Sequence, residues 1–211
     1  RQGEFCPAGT HWDSPGGGGA KTEVTGLHPS GFLCYNGCRM QQRGGKNVRI
    51  LGIDPGYGTI GYGVVRFDNM KFTPVQYGAA KTAPGTPMHL RLCEIYDDIC
   101  TLVDTFHPDE VAIEELFFSK NVTTGIQVAQ ARGVILLALA QKGLHPVSYT
   151  PNQVKLSVVG YGGAEKKQVM EMTKSILHLT KLPRPDDAAD ALALAICHGH
   201  SRQAMRYEGL L

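Results

Sequence analysis

From Val48 onward the chain alternates between short runs of branched apolar residues and longer stretches in which apolar side chains return every three or four positions. The run Val48-Arg-Ile-Leu-Gly-Ile53, closed by Asp54-Pro-Gly56, predicts a buried strand ending in a turn. Thr59 to Phe67 and Lys71 to Ala80 predict two more strands, and the short turns between the three favour antiparallel neighbours. Pro87 opens a helix whose apolar stripe takes in Leu90, Leu92, Cys93, Ile95, Tyr96, Ile99, Leu102, Val103 and Phe106, with Asp97, Asp98 and Asp104 turned outward. Cys93 and Cys100, seven apart, are expected to be core thiols. Glu110 to Glu114 predicts a fourth strand, and Asn121–Lys142 a long helix so apolar over Val134–Ala140 that it is buried against the sheet or a second subunit. His145–Tyr149 predicts a fifth strand. Thr150-Pro151 has the form of a helix start, and Gly160-Tyr-Gly-Gly163 links that helix to another over Ala164–Leu179. The last helix begins near Pro185 and runs through Ala188–His198, leaving His198 and His200 on the C-terminal surface. Three antiparallel strands followed by alternating helix and strand imply a mixed five-stranded α/β sheet with helices on both faces.

Composition changes the picture at one end. Residues 1–47 hold 11 of the 26 glycines, including Gly16–Gly19, and show neither a period of 2 nor one of 3.6. This glycine-rich leader is expected to be disordered or not native. Within it Cys34 and Cys38, with Cys6, His11 and His28, are conceivable zinc ligands, but one close cysteine pair is weak without a second. The chain starts at Arg1, and Arg43-Gly-Gly45 can be written in codons containing a ribosome-binding tract. Val48 is therefore expected to be the natural start, with Met40 as second candidate. The leader carries five basic and three acidic residues, so of 21 basic and 19 acidic in all, residues 48–211 keep 16 of each. A neutral body neither demands nor excludes nucleic acid. No run reaches the ~18 apolar residues that cross a bilayer, and no secretory pattern opens the chain, which points to a cytoplasmic protein with no membrane partner.

Four carboxylates stand apart from the solvated ones by placement: Asp54, Glu114, Asp187 and Asp190. Asp54 and Glu114 each close a strand. If those strands are parallel neighbours, both acids emerge at one sheet edge, and strand alternation lets only one of Glu114 and Glu115 join them. Asp187 and Asp190, three apart, share a helical face near a positive helix terminus. Converging anions of this kind call for hard divalent cations, with Mg²⁺ the expected ion, and two such ions can clamp the attacking water and leaving oxygen of a phosphodiester. Turn chemistry at Asp54 and capping at Asp187 are the bland alternatives.

Ile50-Leu-Gly-Ile-Asp54-Pro-Gly56, Gly61-Tyr-Gly-Val-Val65, Ala112-Ile-Glu114, Gln130-Ala-Arg-Gly133, Gln153-Val-Lys155, Val158-Val-Gly160, Ala164-Glu-Lys166 and Asp187-Ala-Ala-Asp190-Ala-Leu-Ala, in this order, resemble RuvC, the family of bacterial Holliday-junction endonucleases. The resemblance spans essentially all of 48–211. It implies a ribonuclease-H-like fold, a homodimer, and Mg²⁺-dependent symmetric nicking of two like-polarity strands at a four-way junction, with Mn²⁺ able to substitute. It also implies ligatable 5′-phosphate ends and cooperation with the RuvA–RuvB branch-migration complex. By motif, Asp54, Glu114, Asp187 and Asp190 would be the metal-binding catalytic set, Phe117 an aromatic that stacks on a junction base, and Lys155 and Lys166 lysines near the scissile phosphate. Arg132 suits phosphate or fold and stays outside the set. Three rival readings are a related nuclease on RNA or other branched DNA, a non-catalytic junction-binding module, which the presence of all four acids disfavours, and an actin-like phosphotransferase, which would need a second domain that the remaining length does not supply.

Overall fold

The computed structural model describes residues 47–116 and 122–207. Strands β1 (Asn47–Asp54), β2 (Thr59–Asp68) and β3 (Lys71–Lys81) form an antiparallel meander. Asn69 and Met70 turn β2 into β3 with φ of 46° and 63°, the backbone hand that matches strand twist in a two-residue hairpin. Then follow α1 (Met88–Phe106), β4 (Glu110–Glu114), α2 (Val122–Gln141), β5 (Pro146–Tyr149), α3 (Pro151–Val159), α4 (Lys166–Ile176) and α5 (Asp186–Tyr207). The sheet order is β3-β2-β1-β4-β5, with β4 parallel to both β1 and β5. The pairing of β2 with β3 slips between Val64 and Val65, leaving Val75 as an extra residue beside Pro74 on the edge strand.

Side-chain alternation along β1 divides two cores. Leu51 and Ile53 join Val64, Val111 and Ile113 beneath α1 and α2, whereas Val48 and Ile50 join Val65, Phe67, Ala112 and Tyr149 beneath α3, α4 and α5. Helix α5 lies unusually low on its face of the sheet because glycines floor it. A methyl group on Gly52 would stand 2.0 Å from the Ala191 carbonyl oxygen, and one on Gly61 would stand 2.1 Å from that of Asp187. Thr150 caps α3 with a reciprocal pair: the Gln153 amide donates to the Thr150 hydroxyl at 3.2 Å, and the Thr150 amide donates to the Gln153 side chain at 2.8 Å.

Several sequence expectations need correction. The α1 stripe is narrower than its apolar letters suggest: Ile95, Ile99 and Val103, at i, i+4 and i+8, are the buried positions. Cys93 lies two residues, about 200°, from Ile95 and is exposed, and Leu90 is exposed as well, so Cys93 is not a core thiol, whereas Cys100 is partly buried and packs against the core. Helix α5 does not stop at His198. It runs to Tyr207, and His198 is fully buried instead of lying at a surface, while His200 is exposed with its ring edge against Phe72. Helix α2 buries Ala131, Ile135, Ala138 and Leu139 toward the sheet and leaves Ile126 and Leu137 out. No helix among the described residues is long and apolar enough to cross a membrane. The readings made of residues 1–46, zinc ligands included, and of Phe117 lie outside the described residues.

Candidate active site

Asp54 ends β1 and Glu114 ends β4. The parallel register pairs Ile53 with Ile113, which sets the two acids side by side on the face that α5 covers. The two carboxyls are close enough to interact directly. Burial first, then the charges of Glu114 and Asp190, push the Asp54 carboxyl up to about 8. Burial also raises Glu114, with the interaction with Asp54 pulling the other way. Asp187 and Asp190 enter from the first turns of α5, where the helix terminus favours negative charge. Asp187 is seated directly over Gly61, and its charge also reaches Asp54. Asp190 is raised by burial, against the pull of Lys166.

Lys166, at the start of α4, donates to Asp190 Oδ2 at 2.8 Å and stands 4.0 Å from Asp186 Oδ2. Four acids and this lysine therefore form one electrostatic unit. As the side chains lie, no three acidic, histidine or cysteine residues among those described converge to ligand distance. The arrangement sets Asp54 beside Glu114 at adjacent strand ends, with Lys166 engaged to Asp190. Lys155 sits part-buried on α3, and no hydrogen bond or ion pair joins it to these acids. Glu115 is exposed and donates its amide to the Tyr149 carbonyl at 2.8 Å, on the outward side that alternation assigns it.

Arg132, left outside the set by motif, has a supporting position. Its Nε donates to the Glu114 carbonyl oxygen at 3.2 Å and a terminal nitrogen donates to the Ser148 hydroxyl at 2.8 Å, tying the ends of β4 and β5. The only sequence signal for this was a basic residue in a helix with little other charge.

A carboxyl whose pKa stands above its unfolded value takes up a proton on folding, so the stability it confers is present at low pH and is lost as pH rises through the folded pKa. Asp54, Glu114 and Asp190 all have this sign. Without divalent cation, the melting temperature is expected to fall between about pH 4 and pH 8, the span set by Asp54. Added Mg²⁺ should raise it more at pH 8 than at pH 5, where protons compete for the same oxygens. Thermal melts across that range with EDTA and with Mg²⁺ check this; a cation effect independent of pH would contradict it.

A sheet of three antiparallel strands extended by two parallel ones, with acids at the adjoining ends of β1 and β4 and a third element of acids laid across them, defines a protein of the ribonuclease-H-like class. A family model described as crossover junction endodeoxyribonuclease RuvC matches residues 50–198. The chain is 53% identical over 155 residues to the crossover junction endodeoxyribonuclease RuvC of Brevibacillus brevis, covering 74% of this chain and 93% of that protein. It is 49% identical over 159 residues to the one from Thermotoga petrophila, covering 75% and 96%. Among solved structures, T. thermophilus RuvC in complex with Holliday junction substrate aligns with a TM-score of 0.71 at 34% identity, covering 74% of this chain and 96% of that one. The chain belongs to the RuvC family of crossover junction endodeoxyribonucleases.

Proposed function

We propose that this protein resolves four-way DNA junctions in recombination and repair, nicking two like-polarity strands symmetrically and leaving ligatable 5′-phosphate ends. The observation that carries the reading is the Asp54–Glu114 pair at adjacent parallel strand ends, faced by Asp190 and Lys166, in a chain of this family. Family membership implies dependence on a divalent cation. The donor set fits one: it is all carboxylate oxygen, and a hard cation would offset both the burial that chiefly raises Asp54 to about 8 and the repulsion from Glu114 and Asp190 that adds to it. Asp54, Glu114, Asp187 and Asp190 would hold it, with Mg²⁺ as the ion, two per site, and Mn²⁺ as a substitute. When bound, the cation supplies charge neutralisation at the scissile phosphate and a more acidic attacking water.

The residues around it have separable tasks. Lys166, whose ammonium is half-exposed, can exchange its contact with Asp190 for a phosphate oxygen as the strand arrives. Lys155 would hold a neighbouring phosphate, and Phe117 would stack on an unpaired junction base, a contact worth ~1–3 kcal/mol. The Arg132 contact to the Glu114 carbonyl keeps the end of β4 from fraying under the repulsion of the acids.

Two nicks need two sites, and α2 offers a surface for pairing two copies. Ile126 and Leu137 are each 52% exposed on the side away from the sheet, and Gly133 between them faces open space. A mid-helix glycine costs ~1 kcal/mol against alanine, and among the described residues no atom explains it; close approach by a second α2 would. Leu137→Asp is expected to convert a dimer to a monomer in light scattering and to abolish paired nicking. A dimer retained with full activity would place the interface elsewhere. RuvA–RuvB as partner, a cytoplasmic location and a body beginning near Val48 complete the proposal.

The test is a synthetic four-way junction, a linear duplex and an RNA–DNA hybrid, each incubated with the protein with and without Mg²⁺. Symmetric nicks confined to the junction and dependent on Mg²⁺ are expected. Preference for the hybrid would move the assignment to an RNA-directed nuclease.

A further inference from the structure

At the far end of α5 from the acids lies a second buried polar cluster that the cleavage chemistry does not use. Glu110 opens β4, and its carboxylate receives the Arg202 guanidinium Nε at 2.9 Å and the His198 imidazole Nε2 at 3.0 Å. On the other ring edge, His198 Nδ1 meets the Tyr149 hydroxyl at 2.8 Å. The His198 side chain is 0% exposed, that of Arg202 8% and that of Glu110 13%, so these contacts are made in the interior. Burial alone would raise Glu110, but the bonds from His198 and Arg202 outweigh it and hold the carboxyl below its usual value. Glu110 is therefore an ionised acceptor, and His198 Nε2 must donate to it.

The cluster and three of the four acids, Glu114, Asp187 and Asp190, sit on the same two elements. Glu110 and Glu114 are four residues apart on one face of β4, about 13 Å at strand rise. Asp190 and His198 are eight apart on α5, about 12 Å at helical rise. The two rails thus match: His198 meets Glu110 at one end, and Asp190 joins the electrostatics of Glu114 at the other. Between them α5 meets the sheet through small buried residues, Ala188, Ala189, Ala191, Ala193 and Ala195, with Gly52 and Gly61 directly beneath, and through the large buried side chains Leu192, Leu194 and Ile196, with Leu192 over Gly63. This apolar packing is non-directional, whereas the contacts of Glu110 with His198 and Arg202 are directional and fix distance along the helix. Repulsion among the acids pushes α5 away from β4 at its functional end.

We infer that Glu110, His198 and Arg202 are positioning residues that fix α5 lengthwise on β4, so that Asp187 and Asp190 stand opposite Asp54 and Glu114 at the spacing a divalent cation needs. The inference rests on the cation-binding role proposed above. It predicts that loosening a cluster remote from the site weakens metal binding beyond what lost stability explains.

The experiment measures Mn²⁺ affinity by titration calorimetry without DNA, well below every melting temperature, together with the Mg²⁺ concentration giving half-maximal junction cleavage. Glu110→Gln and His198→Leu are expected to weaken both about tenfold. His198→Gln, whose amide can still bridge Tyr149 and Glu110, should stay within about twofold of wild type. So should Ile99→Ala, which opens the core on the opposite face of the sheet. If Glu110→Gln does not fold, E110L/H198L/R202M, which leaves no buried charge unpaired, replaces it with the same expectation. Equal affinities across the cluster variants, or an equal loss in Ile99→Ala, overturn the inference and leave the metal site intact. A wild-type protein that binds no Mn²⁺ overturns the metal site itself and this inference with it.

Discussion

Asp54→Asn is expected to lower junction cleavage in Mg²⁺ by about a thousandfold or more, while junction binding in EDTA stays near wild type. Asparagine keeps the size of the side chain, and its amide can donate to Glu114, so the ends of β1 and β4 should remain joined. What it removes is the anion at the centre of the acidic unit, the group on which Glu114, Asp190 and Asp187 all press. The same change should raise the melting temperature of the metal-free protein at pH 8, because a forced buried charge is gone, and should shrink the stabilisation that Mg²⁺ gives. Nicking assays, gel shifts and thermal melts read the three effects separately. Cleavage within about tenfold of wild type would remove Asp54 from the chemistry.

Gly61→Val should cost stability and activity together. A β-carbon there would lie 2.1 Å from the Asp187 carbonyl oxygen, 2.4 Å from its carbonyl carbon and 3.0 Å from its Cβ. Two of those three atoms are helix backbone and cannot rotate aside, so the start of α5 must lift from β2. Overpacking of this kind is typically worth ~1–3 kcal/mol, and the upper end applies because no rotamer change relieves it. The lift carries Asp187 and Asp190 away from Asp54 and Glu114. Cleavage should therefore fall at least a hundredfold even at temperatures where the variant is folded, as circular dichroism and nicking assays on one sample would show. A folded variant with full activity would mean that Asp187 tolerates displacement and is not a ligand.

Strand ends, and the three-residue spacing of Asp187 and Asp190, made the acidic corner legible in the sequence. An acid closing each of two apolar strands, with the order of elements that makes those strands neighbours, is enough to bring Asp54 and Glu114 together, and the observed register does so. His198 was misplaced for the converse reason. Its partner Glu110 is 88 residues away, and a histidine near the end of a predicted helix has no periodic signal to say that the helix continues and is buried on all sides. The available hint was Arg202, one helical turn beyond His198, together with Glu110 heading an apolar strand on the same face as Glu114. Cys93 failed through generosity in counting: a stripe of nine apolar letters on α1 exceeds the width a helix can bury against one sheet. Of the two uses the sequence left open for Arg132, phosphate or fold, the structure shows contacts of the second kind, whose partners, a backbone carbonyl and the Ser148 hydroxyl, carry no pattern that sequence could reveal.

The outermost strand has a consequence for solubility. Pro74 has no amide hydrogen to offer a further strand, and the neighbouring irregularity at Val75 bends the exposed rim out of line. Lys71 and Lys81 place a cation at either tip of the same rim. Edge-to-edge pairing of this rim with the sheet of another molecule is thereby disfavoured.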